Sequence, residues 1–184
     1  MTQSADDCLR ETTTRSECVF EGHLINLRVD EVKLPDGRES TREIVEHPGA
    51  VAAVPLTDDG EVLFVRQWRH PAGEALLEIP AGTREEGEEP VETLRRELVE
   101  EIGHRADRIE LLSEVYTAPG YSTELIGLYL AAGLTPADGE SDADENIEVV
   151  RVPLQEALRM CRDGELTDCK TVSGLLLAGV RLAG

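Results

Sequence analysis

The chain has 184 residues, enough for one domain with an extension and for a substantial buried core. Apolar residues make up 40% of it, which excludes a disordered composition. Asp and Glu number 38 against 18 Lys and Arg, a formal charge of −20 that opposes nucleic acid and anionic lipid as partners.

A phosphate-bearing ligand would therefore need a metal cation or an arginine cluster. Lysine occurs only at Lys33 and Lys170, so almost all positive charge is guanidinium, as in a salt-adapted or GC-rich source. The opening "MTQSADDCLRE" is acidic with no apolar core, so no secretory signal is expected. No stretch reaches the roughly 18 apolar residues of a membrane span, and the compartment is read as cytoplasmic. Cys8, Cys18, Cys161 and Cys169 form no CxxC pair and read as free thiols.

Residues 1–46 are assigned to an N-terminal β segment, either a small subdomain or an oligomerisation arm. Within it, 18–46 carry strand-like runs around the turn Pro35, Asp36, Gly37. "GAVAAVPLTDDGEVLFVRQW" predicts two apolar strands joined at Asp58, Asp59 and Gly60. "ALLEIPAG" is a short strand ending at Pro80 and Gly82, and a helix follows, with Pro90 in its first turn and Gly103 as its stop. "LLSEVYTAPG", "TELIGLYLA" and "IEVVRV" read as strands, and 153–163 and 169–182 as helices. The sum is an α+β fold, a mixed sheet with few helices.

The segment from Gly82 to His104 crowds Glu85, Glu86, Glu88, Glu89, Glu92, Glu97, Glu100 and Glu101 around one helix. Like charges four apart on a helix repel by a few tenths of a kcal/mol each. With Glu97 at zero and about 100° per residue, Val91, Leu94, Leu98 and Ile102 form an apolar stripe. Glu97 and Glu101 fall at the edge of that stripe. Glu92, Arg96 and Glu100 fall on the side facing away, where Arg96 can pair with Glu92 or Glu100. Two carboxylates one turn apart beside apolar surface favour a hard divalent cation such as Mg²⁺. Gly82 allows close backbone approach to them, and the loop can bring the Ala81 carbonyl near.

Spelled out, the stretch is Gly82, five residues, Glu88, seven residues, then Arg96-Glu97-Leu98-x-Glu100-Glu101-x-Gly103. It resembles the Nudix box, G-x5-E-x7-R-E-U-x-E-E-x-G-U, with U a bulky aliphatic residue. His104 stands in the last position, a departure that bears on packing of the helix end rather than on the carboxylates. The resemblance implies an α/β/α sandwich over 47–184 and hydrolysis of a nucleoside diphosphate linked to another group. It implies Mg²⁺, with Mn²⁺ as an alternative, held by Glu97, Glu101 and the Ala81 carbonyl. Glu100 would assist, and Arg96 would orient the carboxylates.

Pro119 lies sixteen residues after Gly103, which resembles the ADP-ribose pyrophosphatase branch, as do "REIVEHPGAV", "FVRQWRHPA" and "LLEIPAG". That likeness spans roughly 18–180 and implies a homodimer acting on a small nucleotide sugar. Arg66 and Arg69 suit a diphosphate; strand alternation sets them on opposite faces, and Arg69 is favoured. In the branch it resembles, Arg42 would reach a ligand by crossing to a partner subunit; Glu124, in the loop after Pro119, is placed either to meet a ribose hydroxyl or to stand in solvent. Trp68 is expected to pack rather than stack on adenine. The run "GESDADENIEVV" is where such enzymes keep a loop glutamate, and Glu145 is assigned as the base. The family pattern sets two acids two apart there; Ala143 takes the earlier place, so Asp142, Asp144, Glu140 or a box glutamate remain alternatives.

The leading expectation is cleavage of ADP-ribose to AMP and ribose 5-phosphate. The alternatives are another nucleotide sugar such as GDP-mannose, a dinucleotide such as NADH, or a sensor that binds without turnover. A sensor would be expected to lose box carboxylates or to gain a DNA-binding module; this chain keeps the carboxylates and has no basic extension.

Overall fold

The computed structural model describes residues 8–85, 87–139 and 146–184, which divide into two units. The smaller runs to Pro48 and adds Ala118–Glu124; the larger is Gly49–Thr117 with Leu125–Gly184.

In the smaller unit β1 (Thr12–Glu21), β2 (Asn26–Lys33) and β3 (Glu39–Glu46) form an antiparallel sheet in the order β1-β2-β3. The predicted turn joins β2 to β3, with the Leu34 amide donating to the Arg38 carbonyl at 2.8 Å. β1 is exposed along its whole length, so its start, "TTTRSE", has no inside–outside alternation for a sequence reading to find. The 118–124 segment is held to β3 by hydrogen bonds from Val45 N to the Tyr121 carbonyl and from Thr123 N to the Val45 carbonyl.

The larger unit is an α/β/α sandwich around a seven-stranded mixed sheet. Its strands are β4 (Ala50–Leu56), β5 (Glu61–Arg69), β6 (Glu74–Glu78), β7 (Ala81–Thr83), β8 (His104–Tyr116), β9 (Leu125–Pro136) and β10 (Ile147–Pro153). The main path is β10-β5-β4-β9-β8, with β6 beside β5 and β7 beside β4. Only β4 and β9, among these pairs, run parallel.

β4 is buried on both faces, as a central strand of a covered sheet must be. Val51 and Ala53 face one way, with Leu63, Val65, Tyr129 and Ala131, and pack under Leu94, Leu98 and Ile102 of α1 (Pro90–Ile102). Ala52 and Val54 face the other way, with Phe64, Leu128 and Leu130, under Ala157 of α2 (Leu154–Arg162) and Leu175 and Ala178 of α3 (Cys169–Ala183). Pro90 opens α1, and Gly103 closes it in the left-handed conformation at φ 64°, its amide reaching the Leu98 and Val99 carbonyls. The apolar stripe predicted for α1 is the buried one. Among the described residues no helix is long and apolar enough to cross a membrane.

Candidate active site

The carboxylates of α1 gather over the strand end at Ala81 and Gly82. β7 is short, but its pairing of Ala81 with Ala52 fixes its backbone against the buried β4. The Ala81 amide donates to Glu101 Oε2 at 2.9 Å, and Glu101 is only 7% exposed. It sits deeper than the rim position the helical wheel gives. Glu97, one turn earlier, lies directly on Gly82: a Cβ built there would be 2.0 Å from Glu97 Cδ and Oε1. Glycine is required at 82 because a carboxylate fills the place of its side chain.

Arg96 binds these acids together. Its Nη1 donates to Glu97 Oε1 at 2.7 Å and to Glu100 Oε2 at 2.9 Å, and Nη2 is 3.6 Å from Glu88 Oε2. Partial burial alone would lower the Arg96 pKa; the charge of Glu97 and the hydrogen bond and charge of Glu100 outweigh it, holding the guanidinium above its ordinary value. Glu88 is held below the carboxylate range, chiefly by the hydroxyl of buried Thr93, which donates to its Oε2 at 2.8 Å. The wheel assignment of Arg96 and Glu100 to the outward side is thus corrected. The long Arg96 side chain folds back to the rim, while Glu92 stays exposed, 3.5 Å from Arg95.

The donor set suits a hard divalent cation: the Glu97 and Glu101 carboxylates lie one turn apart, both packed on the backbone at 81–82. Among the described residues no three His, Cys, Asp or Glu side chains form a ready cage by themselves, so a backbone oxygen, water or substrate would complete the shell. Beside Glu101 opens a hollow of about 460 Å³, lined by Glu100, Glu101, Asp138, Gly139, Asn146 and Ile147 among others. Glu145, with Glu140, Asp142 and Asp144, lies outside the described residues.

The two arginines of β5 differ. Arg66 is exposed, with Glu148 at 3.8 Å. Arg69 makes a two-pronged bond to Glu78, and that hydrogen bond, with the charges of Glu78 and Glu101, holds its pKa above the ordinary value against partial burial. Trp68 does not pack as expected; it is 60% exposed near the end of β5, opposite Ala75 of β6. In the smaller unit Arg42 donates to Glu11, Ser40 Oγ and the Thr41 carbonyl. With Arg28, Ile44 and Pro119–Thr123 it lines a hollow of about 340 Å³. Glu124 Oε1 stands 3.8 Å from His47 Nε2.

Sequence reasoning missed Glu78, Lys170 and Asp168. Each left a trace: an acid embedded in the apolar run "ALLEIP", one of only two lysines, and an Asp at a helix start.

Residues 46–169 match the NUDIX domain, and residues 11–45 match the nucleoside diphosphate sugar hydrolase N-terminal domain. The chain is 43% identical over 165 residues to the ADP-ribose pyrophosphatase of Bacillus subtilis (strain 168), covering 89% of each. It is 41% identical over 164 residues to the methanol dehydrogenase activator of Bacillus methanolicus, covering 88% of this chain and 89% of that one. A crystal structure of an ADP compounds hydrolase superposes with a TM-score of 0.86 at 25% identity, over 100% of this chain and 98% of that one. The family match spans most of the chain and contains the strand end, the helix and the carboxylates just described; the chain belongs to the NUDIX domain family.

Proposed function

We propose that the chain is a divalent-cation-dependent pyrophosphohydrolase that splits ADP-ribose into AMP and ribose 5-phosphate. The observation that carries this reading is the packing of Glu97 and Glu101 on the Ala81–Gly82 backbone, in a chain so like an ADP-ribose pyrophosphatase.

In this reading Glu97, Glu101 and the Ala81 carbonyl hold Mg²⁺, with Mn²⁺ as a substitute. A bound ion supplies positive charge to the diphosphate oxygens and lowers the pKa of a water. Arg96 holds Glu97 and Glu100 in fixed rotamers, so the carboxylates meet the ligand already arranged. Glu100 assists at the hollow it lines, and Glu145 takes the proton of the attacking water. Hydrolysis adds that water oxygen to one phosphorus while the P–O–P bridge breaks, leaving one phosphate on each product. Arg69 engages the diphosphate, with Arg66 as the weaker candidate on the opposite face.

Arg42 and Glu124 contact the rest of the substrate across a homodimer, to which residues 1–46 contribute as an arm and 47–184 as the hydrolase domain. The partner is a small nucleotide sugar rather than nucleic acid or membrane, since a charge of −20 repels both polyanions. The compartment is cytoplasmic.

The test is a turnover panel with Mg²⁺ and Mn²⁺: ADP-ribose, GDP-mannose and NADH. ADP-ribose is expected to give the highest kcat/KM, with AMP among the products. Preference for GDP-mannose or NADH would replace the substrate and keep the chemistry; no turnover of any diphosphate would end the enzyme reading. Light scattering at half the expected dimer mass would remove the arm.

A further inference from the structure

A second charged cluster lies where β5, β6 and α3 meet. Glu78, at the end of β6, is 1% exposed. Arg69 closes on it through Nε to Oε1 at 2.7 Å and Nη2 to Oε2 at 2.8 Å. Lys170 donates to the same Oε2 and, at 3.0 Å, to Asp168 Oδ2. Asp168 caps α3, accepting from Thr171 N at 3.0 Å and from Thr171 Oγ1 at 2.5 Å. That hydroxyl also accepts from the Ile79 amide at 2.9 Å. The strand end leading to Ala81 and the start of α3 are thus joined through one polar network.

Cohesion alone does not call for this chemistry. Apolar residues of similar volume commonly hold a core at least as well as a buried ion pair does. The cluster has a specific charge count instead: two acids, Glu78 and Asp168, against two bases, Arg69 and Lys170. Three members are enclosed, but the Arg69 side chain is 39% exposed. Its Nε and Nη2 are committed to Glu78, while Nη1 makes no hydrogen bond to the described residues. Burial pushes the Glu78 carboxyl up, but the Arg69 hydrogen bond and the Lys170 charge outweigh it and hold it below the usual range. Glu78 is therefore ionised at neutral pH, and without Lys170 its whole charge would fall on Arg69.

We infer that Glu78 and Lys170 are positioning residues for Arg69. Glu78 fixes the plane of the guanidinium, and Lys170 neutralises Glu78, so that the free Nη1 edge retains its pull on the substrate diphosphate. The inference rests on the proposed role of Arg69. It gives the lysine at 170 a reason in a chain whose other positive charges, Lys33 apart, are arginines: Lys170 is a compact cation sharing one carboxylate oxygen, whereas a second guanidinium fork would compete with Arg69 for both.

The experiment compares wild type, Lys170→Gln and Lys170→Arg in the full chain. It measures kcat and KM for ADP-ribose with Mg²⁺, binding of ADP by calorimetry, and Tm. Lys170→Gln is expected to raise KM and weaken ADP binding together, each by about tenfold, with kcat within about twofold of wild type. Lys170→Arg recovers charge but not geometry, so part of the loss should return. If Lys170→Gln does not fold, Lys170→Met is read in the same way. Unchanged KM and ADP affinity in a folded variant would overturn the inference, and so would kcat falling in step with Tm in both variants. A wild-type chain that turns over no diphosphate fails at the proposed function, whereas an active wild type with an indifferent Lys170→Gln sinks only the positioning role.

Discussion

Two arginines in this molecule each gather three carboxylates, and they are equally exposed at 34% of the side chain. Arg96 on α1 holds Glu97 and Glu100 and lies near Glu88. Arg159 on α2 holds Glu156, Asp163 and Glu165 at 2.6 to 3.1 Å. The number of carboxylates, the arginine exposure and the helical setting are the same, although Asp163 is shared with Arg162. What differs is what lies underneath. The acids around Arg159 are all within six residues of it and stand in solvent. Of those around Arg96, Glu97 presses on a strand end more than ten residues away, at Gly82, and Glu101, the next turn along, accepts from the Ala81 amide. An acidic cluster becomes a candidate cation site when the backbone of another element closes one side of it, and an ordinary solvated helix surface when none does.

The largest test of that difference is Glu101→Gln. An amide keeps the shape but lacks the charge a divalent ion needs, so kcat should fall by roughly two to three orders of magnitude. Steady-state kinetics with saturating Mg²⁺ would check it; a loss under tenfold would mean that Glu101 is a structural acid like those around Arg159. Gly82→Ala comes next. The added Cβ would fall 2.0 Å from the Glu97 carboxyl, so the side chain must leave its place. Metal affinity should fall roughly 10- to 100-fold, read from the Mg²⁺ concentration giving half-maximal activity. An unchanged Mg²⁺ titration curve would show that Glu97 does not need its seat on the strand.

These two predictions also mark where the sequence was legible. The box residues have local spacing: Leu94, Leu98 and Ile102 define a stripe, Gly103 a stop, and Glu97 and Glu101 follow from both. β4 shows as an apolar run between turn residues because burial on two faces leaves a continuous signal, whereas β8 is largely exposed and begins at His104, well before the predicted run from Leu111. The rest depends on partners far along the chain. β7 is three residues long and exists only because β4 accepts it, and Glu78 meets Lys170 across 92 positions. β1 has no buried face to set a period. Trp68, expected to pack, is 60% exposed in the hairpin of β5 and β6, where its cover is not set by neighbours in sequence.

Arg96→Gln should have a smaller effect than either, because the acids proposed to hold the metal remain. Freed from the guanidinium, Glu97 and Glu100 gain rotamers and repel each other, so kcat should drop roughly tenfold with KM little changed. Equal losses in Arg96→Gln and Glu101→Gln would mean that Arg96 touches the substrate rather than arranging its neighbours.

The smallest effect belongs to the solvated twin. Arg159→Met should leave kcat and KM unaltered, since nothing in its cluster reaches the strand end at 81–82. Its signature is in stability and pH. Glu156 is held below the carboxylate range chiefly by the Arg159 hydrogen bond, and Asp163 chiefly by Arg162 and then Arg159. A carboxylate whose folded pKa is depressed contributes stability that is full above its unfolded value, near about 4, and is lost as pH falls through the folded value. Wild type should therefore melt slightly above Arg159→Met at pH 7, and the two curves should converge in strong acid. They should also converge at high ionic strength, because exposed pairs are screened. A Tm gap that persists in acid or in salt would mean the Arg159 cluster is not the solvated surface its surroundings indicate, and a loss of kcat would break the contrast with Arg96 altogether.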